Sequence, residues 1–156
     1  MLLAKEFTLL KADHSHYSEI LDGLKTFYIH QHLDWENLSE QVESESVFLY
    51  YVNKELTGIL SIAGFTPANQ WVKVFAVRND SQKRLIWNKL LPFALSHGKT
   101  YPFYTITFWD WYRKLIRELS GFRLYEQIVA LEREEPIQLQ SVVLSEGTRI
   151  RSVTDN

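Results

Sequence analysis

Residues 47–77 hold three strand-like stretches in direct succession, "VFLYYV", "LTGILSIAGF" and "QWVKVFAV". Asn53-Lys54-Glu55 separates the first two, and Pro67-Ala68-Asn69 the second from the third. Links this short join antiparallel neighbours, because parallel neighbours need a crossover of about a dozen residues or more. The next link is of that longer kind. Residues 81–97 carry Ile86, Leu90, Phe93, Ala94 and His97 at helical spacing, with Gly98 as a stop and Pro92 placed to kink the helix. The strand after it, "FYTITFW", is then expected to run parallel to the one ending at Val77. A meander followed by a helical crossover dictates a mixed sheet.

The flanks extend this order. "FTLLKA" reads as an opening strand. Asp13 is a good N-cap, followed at helical spacing by Tyr17, Ile20, Leu21, Leu24 and Tyr28. "FYIHQHL" breaks that pattern and reads as a loop or a frayed end. Asp34 can cap a short second helix with Trp35, Leu38 and Val42 on one face. Near the other end Tyr112, Leu115, Ile116 and Leu119 mark a helix over 110–119. Gly121 ends it, and "FRLYEQIVALE" is a closing strand. The order β-α-α-β-β-β-α-β-α-β predicts an α/β fold (an α+β mixed sheet) with helices on both faces. Residues 1–135 form one domain on this reading, and 136–156 a tail or linker.

Composition narrows the function classes. At 156 residues the chain is long enough to bury a real core. Its formal charge is −2 with Lys and Arg scattered, so no nucleic-acid stripe is expected. There is no Cys, which excludes disulfides and thiolate chemistry. No apolar run approaches the length of a membrane span, and a cytoplasmic protein is the expectation. Aromatic residues reach 14%, with five Trp, enough to line a cleft or to fill a small core.

Over residues 6–133 the order of elements resembles the GNAT superfamily of acyl-CoA N-acyltransferases. "GILSIAGF", "VFAV" and the long helix come in the family's succession. "LIRELSGFRLYEQIVALER" is similar to its closing helix, Gly-Phe and final strand. The resemblance implies acetyl-CoA bound where two parallel strands splay apart. Phe75, Ala76 and Val77 would meet the pantetheine arm, and Gln82, Lys83 and Arg84 the pyrophosphate at the next helix start. A helix N-terminus suits an anion, since its N–H groups are unpaired and its dipole end is positive. Glycines there let a phosphate approach the backbone, because a Cβ would stand in the way.

The departures fall in that same loop. The family signature is Arg or Gln, any two residues, Gly, any residue, then Gly or Ala. Gln82 matches its first position, but Leu85 stands at the central Gly and Trp87 at the last small residue. Lys83 replaces a further common Gly. Both Leu85 and Trp87 are expected to block the phosphate nest from the same neighbourhood. Acetyl transfer also needs a base for the acceptor amine and an acid for the leaving thiolate. The resemblance implies a Tyr about four residues before the Gly of Gly-Phe, where this chain has Arg117. The nearest is Tyr112, a weak candidate acid whose apolar-face position suits a core Tyr with a satisfied hydroxyl. "QWVKVFAV" offers no carboxylate as a base.

His30-x-His32 lies in the segment that borders the acceptor cleft of the family. With no Cys nearby and no clear third ligand, no metal site is expected. His14 and His16 sit at a helix start, and "EREE" at 132–135 reads as a solvated strand end. The closing "TRIRSVTDN" has the form of this chain's own opening, "FTLLKADHS". It reads as an ordinary tail or as the start of a second GNAT-like domain. The second arrangement is similar to families such as mycothiol synthase, where two such halves are joined and one has lost its cofactor loop. Expected partners are a second GNAT-like domain or a second copy in a homodimer, without nucleic acid or membrane. Two readings of function stand. One is a degenerate, non-catalytic domain with no cofactor that supports a catalytic GNAT domain. The other is an acetyl-CoA-dependent N-acyltransferase with an atypical phosphate loop.

Overall fold

The apolar runs at the centre of the chain are strands covered on both sides, which is why they read as continuous rather than alternating. In strand β3 (Val47–Val52) the first five residues are all buried. Val47, Leu49 and Tyr51 face one way, with Ile59, Val74 and Ala76 from the neighbouring strands. Over them lie Ile20 of helix α1 (Tyr17–Thr26) and Leu38 and Val42 of α2 (Leu38–Glu43). Phe48 and Tyr50 face the other way, with Leu60, Ile62, Phe75 and Val77. That side is covered by Ile86, Trp87, Leu90 and Ala94 of α3 (Lys83–Ser96) and by Tyr112 and Leu115 of α4 (Asp110–Glu118).

This architecture comes from a computed structural model that describes residues 6–32, 38–44, 46–66, 69–119 and 121–123. The chain divides into two compact units, Met1–Phe122 and Arg123–Asn156, and the fold described is that of the first. Its sheet has six strands in the order β1-β3-β4-β5-β2, with β6 also pairing β5. The ranges are β1 Phe7–Lys11, β2 Tyr28–Gln31, β4 Glu55–Thr66, β5 Asn69–Val77 and β6 Phe103–Tyr104. The expected meander is present: β3, β4 and β5 are antiparallel in succession. The expected parallel return is present too, with Gln70 opposite Phe103 and Trp71 opposite Tyr104.

Local chemistry explains the joints. Asn53 and Lys54 both have positive φ, as a two-residue hairpin turn that matches the twist of its strands requires. Asp13 caps the first helical turn, accepting from the Ser15 N–H at 2.9 Å. Gly58 on β4 allows α3 to press against the sheet, since a Cβ there would lie 2.3 Å from Ile86 Cγ2. The β4–β5 register skips one residue at Lys73, where Ser61 faces Val74 but Ile62 faces Val72. That bulge divides β5 into two halves with different outer neighbours.

Three expectations need correction. "FYIHQHL" is not a loop: Tyr28–Gln31 is the strand β2, paired antiparallel with Val74–Val77. Its backbone groups find partners on an open sheet edge, a tertiary effect that outweighs the lack of a local strand pattern. The strand expected from "FYTITFW" is only Phe103–Tyr104, because the rest of the β5 edge belongs to β2. The helix expected at 81–97 begins with a 3-10 turn over Asp80–Gln82 and is α-helical over Lys83–Ser96, with Pro92 inside it. Asp34, Trp35, most of the closing strand and the tail lie outside the described residues. Among the described residues, no helix is long and apolar enough to cross a membrane.

Candidate functional site

The site that the sequence points to lies along the C-terminal half of β5 and the start of α3. β4 covers the inner edge of β5, and the outer edge changes partner at Lys73. Before the bulge it pairs with β6; after it, with β2. The register sets Tyr28 opposite Val77, Ile29 opposite Ala76, His30 opposite Phe75 and Gln31 opposite Val74. The His32 N–H adds a bond of 2.7 Å to the Lys73 carbonyl. Phe75, Ala76 and Val77 are therefore fully buried strand residues whose outer edge is taken by another segment of the same chain. Sequence reasoning missed this segment. The signal available was the β-favouring trio Phe27-Tyr28-Ile29.

Trp87 packs beneath that half of β5. Its indole is 2% exposed and stands edge-on to Phe75, with ring centroids 5.1 Å apart. Tyr112 and Phe122 complete its surroundings, at 6.4 and 6.0 Å. Leu85, expected to point into the same neighbourhood, faces elsewhere. It is half-exposed and lines a shallow cleft of about 190 Å³ with Phe7, Tyr50, Val52 and Gln82. Residues two apart on a helix do not share a face, which separates the two side chains.

The 3-10 turn that leads into α3 is capped from within, while the α3 N-cap, Gln82, makes no side-chain capping bond. The Asn79 side chain accepts from the Ser81 N–H at 3.0 Å. Lys83 reaches back to the Asp80 carboxylate at 2.8 Å, so its charge is already paired. Gln82 is half-buried, and Arg84 is exposed. Arg78, just after β5, donates to the Leu56 carbonyl at 3.0 Å and pairs with Glu55 at 2.8 Å. Its guanidinium lies over the Phe27 ring, 5.3 Å from the centroid.

Between β2 and α4 sits a small buried polar group. Tyr112 is fully buried, and its hydroxyl is 2.9 Å from Thr105 Oγ1. Burial pushes its pKa up, against a smaller opposing effect of the Thr105 bond. The hydroxyl is thus a reluctant acid facing a neighbouring hydroxyl. His30 stacks on the Tyr112 ring, with centroids 4.0 Å apart and planes 5° from parallel. The Nε2 of His30 lies 3.4 Å from Thr105 Oγ1, while Nδ1 makes no hydrogen bond of normal geometry. Burial lowers the His30 pKa to about 4, and the favourable influence of the Val72 backbone does not offset it. His32 stands edge-on to Trp71 at 5.0 Å. Among the described residues no cluster of three His, Asp or Glu could hold a metal ion. His14 is exposed, and His16 bonds the Asp13 carboxylate at 2.8 Å.

No family model and no curated protein matches this sequence. Solved structures do match in shape. An aminoglycoside N-acetyltransferase, AAC(6')-Iy in complex with CoA, is similar with a TM-score of 0.57 and 9% identity, over 86% of this chain and 99% of its own. An aminoglycoside acetyltransferase from an uncultured soil metagenomic sample, in complex with sisomicin, is similar with a TM-score of 0.55 and 12% identity. That match spans 81% of this chain and 95% of the other. At such identities the likeness is one of fold: a mixed α/β fold of the GNAT acetyltransferase type.

Proposed function

We propose that this GNAT-fold domain is non-catalytic and acts as a support for a catalytic GNAT domain, in the same chain or in another. One observation carries the reading. The β5 edge where the GNAT resemblance puts a pantetheine arm is paired with the chain's own β2. As folded, Phe75–Val77 do not fit an acyl-CoA, because that edge has a partner and Trp87 fills the space beneath. Tyr112 adds to the case, since it is fully buried and its hydroxyl is bonded to Thr105 in the interior.

A second reading, an acetyl-CoA-dependent N-acyltransferase with an atypical loop, draws on the uncapped start of α3 and on exposed Arg84. Ligand-linked melting separates the two. A ligand at a hundredfold over its dissociation constant stabilises by about 2.7 kcal/mol, which raises the melting temperature by several degrees for a chain of this size. The expected result with millimolar acetyl-CoA is no shift. A shift of several degrees establishes binding and selects the acyltransferase.

A further inference from the structure

The strand β2 is attached more thinly than the strands of the β3–β5 meander it borders. It pairs over four residues only. Tyr28 and Gln31 are exposed, Ile29 is half-buried, and His30 is its one fully buried side chain. Ile29 packs against the core on the α1 side and Tyr28 meets Trp111 edge-on at 6.2 Å. The side chain a short strand buries most deeply is ordinarily aliphatic or aromatic, since it loses nothing polar on burial. Here it is a histidine whose Nδ1 makes no hydrogen bond of normal geometry, stacked flat on Tyr112. The preceding end is firm. The Phe27 N–H closes α1 on the Gly23 carbonyl at 2.8 Å, and its ring lies under Arg78.

We propose that β2 is a releasable strand, docked on the β5 edge while His30 is neutral and let go when His30 takes up a proton. The reasoning is one of charge. The interior that holds His30 contains aromatic rings, a threonine hydroxyl and backbone, and among the described residues no carboxylate acts on it. The titratable groups that meet it are Tyr112 on α4 and His32 next to its own strand, and neither offers a negative charge. Inside, a charged His30 keeps only the Val72 backbone in its favour, and burial outweighs that, whereas a released imidazolium is hydrated. Release leaves the outer backbone groups of Val74–Val77 without their partners. The inference stands on the attachment of β2 and is independent of whether the domain is catalytic.

The sign follows from linkage. A histidine whose proton affinity is depressed when docked holds the strand fully above its ordinary value of 6.5, and docking weakens as pH falls toward 4. With the ordinary value regained on release, opening at pH 5 is about 30-fold more frequent than at pH 7.5. Amide hydrogen exchange on the full chain, corrected for intrinsic pH dependence, reads this directly. The β2 and His32 amides should lose about 30-fold in protection relative to the β3–β4 amides. His30→Phe keeps the stack on Tyr112 but has no site for a proton, so the pH effect should vanish. Parallel loss across the sheet, or an unchanged pH effect in His30→Phe, overturns the proposal. Should that variant fail to fold, the His30 ring titration in the unmodified chain decides. A midpoint below 5 supports the switch. A midpoint near 6.5 with β2 amides still protected overturns it.

Discussion

The two edges of β5 are built to different standards. Its inner edge meets β4 along nearly its whole length, and the side chains that β4 contributes there, Ile59, Leu60 and Ile62, are all buried. Its outer edge is shared by two short strands, two residues of β6 and four of β2, which part company at the Lys73 bulge. β2 brings one buried side chain, and that one is titratable. The inner edge is core, fixed by apolar burial that pH cannot touch. The outer edge is closed by backbone pairing, one buried histidine and the partial cover of Ile29 and Tyr28. A strand can thus complete a sheet geometrically while contributing little of the burial that holds it.

The largest effect should come from the layer under both edges. Trp87→Ala removes an indole enclosed by Phe75, Tyr112 and Phe122. The expected loss is about 3–5 kcal/mol, measured as a fall in the urea midpoint. A loss under about 1 kcal/mol, the scale of surface substitutions, would mean that the indole fills space without anchoring the fold. Next come the edges themselves. Leu60→Ala on β4, opposite Phe75, should cost about 2–5 kcal/mol as a fully buried aliphatic deletion. Ile29→Ala on β2, where the side chain is half-buried, should cost only about 1 kcal/mol from the apolar area it covers. Equal losses at the two positions would erase the contrast between the edges.

Much of the inner edge was legible in the sequence, because short links between apolar runs leave few topologies. "VFLYYV" to "WVKVFAV" reads as a meander, and the helix after Val77 forces the parallel return. The outer edge was not legible. Tyr28–Gln31 has no clean alternation and follows a helix directly, so nothing local marks it as a strand; its partner lies more than forty residues away. The site was legible in position and less so in orientation. Trp87 could be picked out as bulk near the cofactor loop, but its depth beneath Phe75 is set by the α3–β5 contact. The pairing of His30 with Tyr112 joins β2 to α4 across the fold. His30 drew attention in the sequence for its spacing from His32, a metal-like pattern. In the structure it matters for its burial.

The smallest effect on stability belongs to Leu85, and it bears most directly on the function. Its side chain is 51% exposed at the first turn of α3, beside Phe7 and Gln82 rather than under β5. Leu and Ala differ little in helix propensity, and little burial is lost, so Leu85→Ala should change stability by no more than about 0.5 kcal/mol. The informative measurement is melting of that variant with acetyl-CoA. If the bulky residue at the helix start were what excludes the ligand, trimming it would open the phosphate nest and the variant would gain several degrees. With the β5 edge held by β2, trimming Leu85 leaves the arm of such a ligand without its strand partner, and no gain is expected. A gain in Leu85→Ala, absent in the unmodified chain, would move the obstruction from the β2 edge to the first turn of α3.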